Sequence, residues 1–520
     1  MMTIIDKERY RRYKSARVGT DGHLLYELWL PFLLFGSMGA ITWAIRGTGG
    51  WGGIDGTIVP GLTWGLLWYY ICYRRGIDVR GIVLWLGLGL ALGGELGYGQ
   101  YVSWIQGRFH AGDEVLYIEP WKGYAWFVIC GIGWAAPGGI ILGWAVNSTV
   151  SVRVWFVRII LIILFLSIIL NLPLFGTGII NRLGTFFIKS SPGLLFPNAS
   201  MNLYQGELDS HLLRTVYTNT QNFAALVWWL IALCISACQR DRTTLVSGAV
   251  IGGGFGIGFA LSAVWCLGYS FAPAYTDWWK IWELQSGFSL GILYVIVLYL
   301  FTGRLEESNG HGEKLKPVNS YQFRSFSVSQ TVTTIFLAIG GFALIFVAGY
   351  EYFFWTGLLL ALFYMVSLSA VSFFGTSDVT ELRKRVSILY SVFLLIFILL
   401  HGATSRAGVL LELYDGEEVN QYAWPLERIM LFLPVALLLI FFTLKHLFRI
   451  YRSPSYSTIE TRSLEVYMTD LFTFISFTGA ISISGYSPWP SKIVVLYALL
   501  LFVALFAFTR INRHLTDIGI

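Results

Sequence analysis

The sequence predicts an all-α, polytopic transmembrane helical bundle of about fourteen spans, with both termini cytoplasmic. Three observations carry that prediction. The chain has too few charges for a water-soluble protein, its apolar runs are long enough to cross a bilayer, and its Lys and Arg residues collect in alternate segments between those runs.

Charged residues make up 13% of the 520 positions and hydrophobic residues 56%, whereas a soluble domain carries about 25% charged residues. Aromatic residues reach 17%, with 21 Trp, as expected where Trp and Tyr sit at both membrane interfaces. Such abundance also suits contact with sugars or lipid head groups. The formal charge of +6 is small for this length, and nothing points to a nucleic-acid partner. Membrane lipids are the first expected partner, and oligomeric partners are not legible in the sequence.

A bilayer core takes about 20 apolar residues per helix. Runs that meet or approach this fall at 26–46, 52–73, 81–105, 123–146, 154–177, 221–239, 243–270, 284–303, 329–349, 352–374, 385–402, 428–449, 468–485 and 492–510. No apolar core precedes residue 26, so the first span is expected to serve as its own insertion signal. With the N-terminus inside, the inner segments hold 26 of the 36 Lys and Arg. The asymmetry keeps its sign along the whole chain, as the positive-inside rule requires. This fits a multi-pass protein of a plasma membrane or a bacterial inner membrane.

The expected organisation is a basic cytoplasmic segment (1–25), a first membrane bundle (26–177), a long extracytoplasmic loop (178–220), a second membrane unit (221–303), a cytoplasmic linker (304–328), a C-terminal membrane bundle (329–510) and a short tail (511–520). Within 178–220 the stretch LDSHLLRTVYT reads as a short surface helix. The outer loops at 106–122, 271–283 and 403–427 are acidic and aromatic, so a ligand or partner is expected on that side.

Residues Arg80–Val146 and Arg242–Leu298 resemble one another. Each opens on a basic residue and a glycine-rich helix: Gly87, Gly89, Gly93, Gly94, Gly97 and Gly99 in the first, Gly248, Gly252, Gly253, Gly254, Gly256 and Gly258 in the second. An outer loop with an acid, a Trp and a Lys follows: Glu119, Trp121 and Lys122, then Asp277, Trp278 and Lys280. The units lie four spans apart and share orientation, which makes a parallel internal repeat. A weaker copy, without the glycines, covers 385–449. Small residues let helices approach closely; glycines this dense also leave room for a substrate path.

Ionisable residues inside a membrane are costly and usually functional. Arg46 ends the first span, Asp55 lies near the start of the second, and Glu95 lies past the middle of the third, within GGELGYGQ. All three fall in the outer half. The turn Arg46-Gly-Thr-Gly-Gly-Trp-Gly-Gly-Ile-Asp55 places Gly49 and Gly50 where backbone N–H groups can form an anion nest, with Arg46 as a bidentate partner. Arg46, Gly49, Gly50, Asp55, Glu95 and Gln100 therefore form the expected substrate-binding set. His110, Asp113, Glu114 and Glu119 fit no standard zinc spacing and read as a solvated acidic loop, as does the stretch from His401 and Arg406 to Glu418.

No nucleotide fingerprint, haem motif, Ser-His-Asp arrangement or CxxC occurs, so no cofactor or metal is expected and no catalytic residue is assigned. The five cysteines show no disulfide pattern; Cys234 and Cys238, spaced i, i+4, read as helix packing. Three functions remain open. The first is a transporter of a small or lipid-linked anionic solute. The second is an integral membrane transferase acting on a lipid-linked substrate at the outer face, with Asp55 or Glu95 as base and Arg46, Arg108 and Arg406 as diphosphate clamps. The third is a non-catalytic subunit of a membrane complex.

Overall fold

The computed structural model describes residues 24–46, 54–75, 82–94, 96–111, 114–147, 150–171, 173–174, 177–178, 210–307, 468–469, 472–473, 475–476 and 490–517. The spans expected between 329 and 449, and most of 468–485, lie outside these residues.

The described chain is a helical bundle. A π-helical turn at Leu25–Trp29 opens α1 (Leu30–Arg46), followed by α2 (Ile54–Arg74). Next come α3 (Ile82–Gly93) and α4 (Gly99–Ile105), then a hairpin of β1 (Arg108–Ala111) and β2 (Glu114–Tyr117). After α5 (Pro120–Val146) and α6 (Val152–Ile169), two short strands, β3 (Pro173–Leu174) and β4 (Thr177–Gly178), pair with each other. The chain resumes with α7 (Ser210–Cys238). Then α8 (Arg242–Gly248), a π-helical turn at Ala249–Gly253, α9 (Gly254–Ser262), a 3-10 turn at Ala263–Leu267 and α10 (Gly268–Phe271) form one rod. The last elements are α11 (Trp278–Glu307) and α12 (Pro490–Asp517). Seven described helices are long and apolar enough to cross a membrane, so the protein is a multi-pass membrane protein; α2 and the interrupted α3–α4 pair complete the described bundle.

Glycines set how close the helices come. Helix α5 is central. A methyl at Gly93 would overlap the Trp134 carbonyl, and one at Gly89 would meet the Gly138 Cα at 2.9 Å. On its other side, Gly131 meets the Gly256 Cα at 3.0 Å and Gly139 the Ser247 carbonyl at 2.7 Å. Gly39 against Gly287 locks α1 to α11 in the same way. Lipid tails are as apolar as Leu, so this close van der Waals contact supplies the association energy that water would supply elsewhere.

The two ends of the bundle differ. At one end, called here the basic end, Arg75 pairs with Glu27 at 2.9 Å and Arg158 with Asp241 at 3.0 Å, all four buried. Asp241 also caps α8 by accepting from the Thr244 N–H at 3.2 Å, and Asn147 donates to it at 3.0 Å. The Arg158 guanidinium lies over the rings of Trp155 and Trp144. The start of the first helix and the end of α12 meet here: Tyr26 stacks on His514 at 3.9 Å, and Tyr70 donates to Asn512 at 2.5 Å. At the other end, the hairpin end, β1 buries Phe109 against Trp104 and leaves Arg108 and His110 exposed. That is the two-residue alternation of a strand.

The structure corrects four expectations. The third span is not continuous over 81–105; it breaks between α3 and α4. LDSHLLRTVYT is not a separate surface helix, because α7 runs unbroken from Ser210 and its Thr215, Thr218 and Asn219 are buried; their polarity faces protein. The loop at 106–122 contains a β-hairpin. Cys234 and Cys238 are exposed on the outward face of α7 beside Leu230 and Ile231, and pack against no other described helix.

Candidate functional site

The break in the third span follows from its residues. Gly93, Gly94, Gly97 and Gly99 lie within seven positions, and each Gly weakens a helix by about 1 kcal/mol relative to Ala. After α3 the chain turns more tightly: Gly94 N–H donates to the Ala91 carbonyl at 3.0 Å and Leu96 N–H to the Gly93 carbonyl at 3.2 Å. The carbonyls that lose helical partners are then held by neighbouring side chains. Trp134 Nε1 on α5 donates to the Leu96 carbonyl at 2.9 Å. Asn222 Nδ2 on α7 donates to the Gly97 carbonyl at 2.9 Å, and the Cys130 thiol reaches the same oxygen at 3.5 Å. Backbone without such partners would cost several kcal/mol per group in a lipid interior.

Beyond the break the polar network continues. Asn222 Nδ2 also donates to the Tyr101 hydroxyl at 2.9 Å, and Tyr101 donates to Asn219 Oδ1 at 2.8 Å. Gln100 Nε2 reaches the same oxygen at 3.4 Å. Asn219 and Asn222 are fully buried, and Asn222 Oδ1 finds no hydrogen-bond partner among the described residues. Gly99 is exposed, and a Cβ built on it would meet nothing within 4 Å. The break thus has an open side, flanked by the half-buried Tyr98 and Gln100.

An aromatic wall completes it. Tyr98 lies 5.2 Å from Trp282, 5.8 Å from Trp134 and 6.0 Å from Trp279, centroid to centroid. Trp282 is fully buried, and its Nε1 has no partner among the described residues. Behind the wall, Lys280 Nζ bonds Glu283 Oε2 at 2.6 Å, and Trp279 Nε1 donates to Glu283 Oε1 at 3.0 Å. Glu283 is 1% exposed.

Of the six expected site residues, Gln100 is the one whose side chain is described, and it belongs to this network. Arg46 and Asp55 lie at the ends of α1 and α2 with side chains outside the description; Gly49, Gly50 and Glu95 are outside it altogether. Their neighbours converge: Trp134 holds Leu96, next to Glu95 in the chain, and its ring packs 5.3 Å from Trp43, one turn before Arg46.

Lys122 and Lys280, matched in the sequence, have different partners. Lys122 pairs with Glu119 at 2.8 Å on the surface, and that hydrogen bond holds the Glu119 carboxyl below its ordinary range. Lys280 is buried on Glu283, while Asp277 instead accepts the Lys280 backbone N–H at 3.1 Å and caps α11.

Sequence reading missed Asn219, Asn222, Glu283, Arg158 and Asp241. The signal available was the pair Asn219 and Asn222 at i, i+3 leading into an apolar run. Comparison with known proteins finds no matching family, no matching curated protein and no matching solved structure.

Proposed function

We propose that the protein is a membrane transporter whose solute site is the broken third span. The observation that supports this reading is the interruption itself: a helix opened at mid-bundle, its carbonyls held by side chains of two other helices, with an open side at Gly99. Irregular backbone at membrane depth is tolerated where it is buried in protein or lines a polar cavity, and discontinuous helices form the midplane sites of many transporters. The orientation that goes with this reading puts the basic end in the cytoplasm and the hairpin end outside, in line with the Lys and Arg distribution.

A parallel repeat fits the same proposal. Gly89, Gly93, Gly94, Gly97 and Gly99 stand in register with Gly248, Gly252, Gly253, Gly256 and Gly258. In that register the glycine pair that ends α3 matches the pair that widens the α8–α9 rod into a π-helical turn. One copy opens where the other only loosens, and Glu95 stands where the second copy has Gly254. A small or lipid-linked anionic solute is the form this proposal takes if Arg46 and the turn at 47–53 complete the site.

The test is uptake into proteoliposomes of a radiolabelled panel of sugars, amino acids, carboxylates and phosphates. The expected result is accumulation of one class, abolished by Glu95→Gln and by Gly99→Leu with insertion unchanged. No uptake of any class by well-inserted protein would refute transport and favour the non-catalytic subunit.

A further inference from the structure

From the outward face of α12, we propose that the protein holds an acidic phospholipid in the leaflet at the basic end. Its acyl chain lies on Leu499, Phe502 and Phe506, and its phosphate on Arg510 and Arg513. The inference goes beyond transport and does not rest on it. Val495, Leu499, Phe502 and Phe506 recur at helical spacing and so form one stripe. All four are exposed, Phe502 at 69%. The opposite side of the helix is taken: Tyr497 donates to the Ile41 carbonyl at 3.2 Å, and the buried Phe508 lies 5.5 Å from Phe472, centroid to centroid. The stripe measures about 16 Å along the helix axis, half the thickness of a bilayer core and the depth of one leaflet's acyl chains.

Charge says what covers this face. Arg510 and Arg513 continue the stripe beyond Phe506, both exposed and near neighbours on the helix surface by their spacing. The Arg510 guanidinium lies 5.5 Å from the centre of the Phe506 ring, where the apolar part meets the polar part. Among the described residues neither arginine is joined to an acid. Asp517, one turn past Arg513, pairs with neither, and Glu27 at the same end is held by Arg75. The other end of α12 differs. Lys492 stands about 27 Å away along the axis, close to the thickness of a bilayer core. It donates to the Tyr275 carbonyl and lies over the Tyr275 ring. The protein satisfies that cation itself and leaves the two arginines to the membrane.

The choice of lipid follows from the two guanidinium groups. A choline head group carries its own cation beside the phosphate, whereas an acidic lipid presents net negative charge to both arginines. A second copy packed on this face about a two-fold axis would instead set arginine against arginine. The site adjoins the junction of the first and last described helices, where Tyr26 stacks on His514 and Arg74 donates to Thr516 at 3.2 Å. A ligand bound only to this folded end raises stability by mass action.

The experiment melts the full-length protein in dodecyl maltoside micelles while dioleoyl phosphatidylglycerol, dioleoyl phosphatidylcholine or sodium phosphate is titrated in. The expected result is a saturable rise in thermal midpoint with phosphatidylglycerol and none with the other two. In Arg510→Gln combined with Arg513→Gln the apparent affinity should fall about thirtyfold, and the double Lys variant should keep part of it. Both side chains are exposed, so the lipid-free midpoints should match the parent. Phosphatidylglycerol carrying a diazirine in its acyl chain should cross-link to residues 499–506 and be displaced by the unlabelled lipid. An equal rise with phosphatidylcholine, a rise unchanged in the double Gln variant, or cross-links confined to other helices would each overturn the proposal. A response to sodium phosphate alone would assign the arginines to a free anion. Disulfide pairing of Phe502→Cys between two copies, in a cysteine-free background, would assign the face to a second copy. Either of these also overturns it.

Discussion

Arg158 shows how a single residue can hold two turns of the bundle together. Its guanidinium bonds Asp241 and the Asn147 carbonyl and lies over the rings of Trp144 and Trp155. Asp241 in turn serves Asn147, Thr244 and the start of α8. Removing one partner of a buried pair leaves the other charge uncompensated, which costs about 3–5 kcal/mol. Arg158→Ala should therefore lower the thermal midpoint of the purified protein sharply. Arg158→Ala combined with Asp241→Asn should recover part of that loss, because no buried charge then remains. A double variant no more stable than the single would show that packing on Trp144 and Trp155, not charge, sets the cost.

Among the elements, glycines divide into two kinds that the sequence does not distinguish. Gly93 and Gly131 sit at helix crossings where an added methyl strikes backbone, whereas Gly99 faces open space. Overpacking costs about 1–3 kcal/mol, so Gly93→Ala and Gly131→Ala should each destabilise by that order in a thermal or denaturant melt. Gly99→Ala should leave stability unchanged or slightly raised. Equal losses at all three positions would contradict the crossings described. Glycine density predicted close helices, and most of those glycines do pack. It did not reveal that a cluster of four would also open the third span.

The polar residues escaped for a related reason. Glu283 lies within the first turns of α11, next to an acidic loop, so its hydropathy context is that of loop residues. What buries it is the packing of neighbouring helices, which a one-dimensional pattern does not carry. The hydropathy pattern places Asn219 in a loop because the apolar run begins after it, although α7 extends upstream to Ser210. Arg158 falls near the start of the expected span 154–177, and its burial depends on a partner in a distant turn, Asp241.

For the whole molecule, what was legible was the kind of protein: low charge, long apolar runs and helices between them. The described helices run between a basic end and a hairpin end, and the proposed orientation can be read directly. With single cysteines placed in a cysteine-free background at Trp121 and at Arg240, both exposed, a membrane-impermeant maleimide applied to intact cells should label Trp121→Cys and spare Arg240→Cys until the cells are opened. The opposite pattern would invert the topology and place the break nearer the cytoplasm.

The side-chain donors at the broken span have a mechanical consequence. An unbroken helix keeps its backbone hydrogen bonds wherever its neighbours go. The stretch around Leu96 and Gly97 does not, since Trp134, Cys130 and Asn222 ride on α5 and α7. Any sliding of α7 past α5 must exchange these donors, while α3 and α4 stay intact on either side. The segment is therefore the joint of the bundle. Exchange of the Trp134 indole N–H, which donates to the Leu96 carbonyl, would report the opening of that joint without a label.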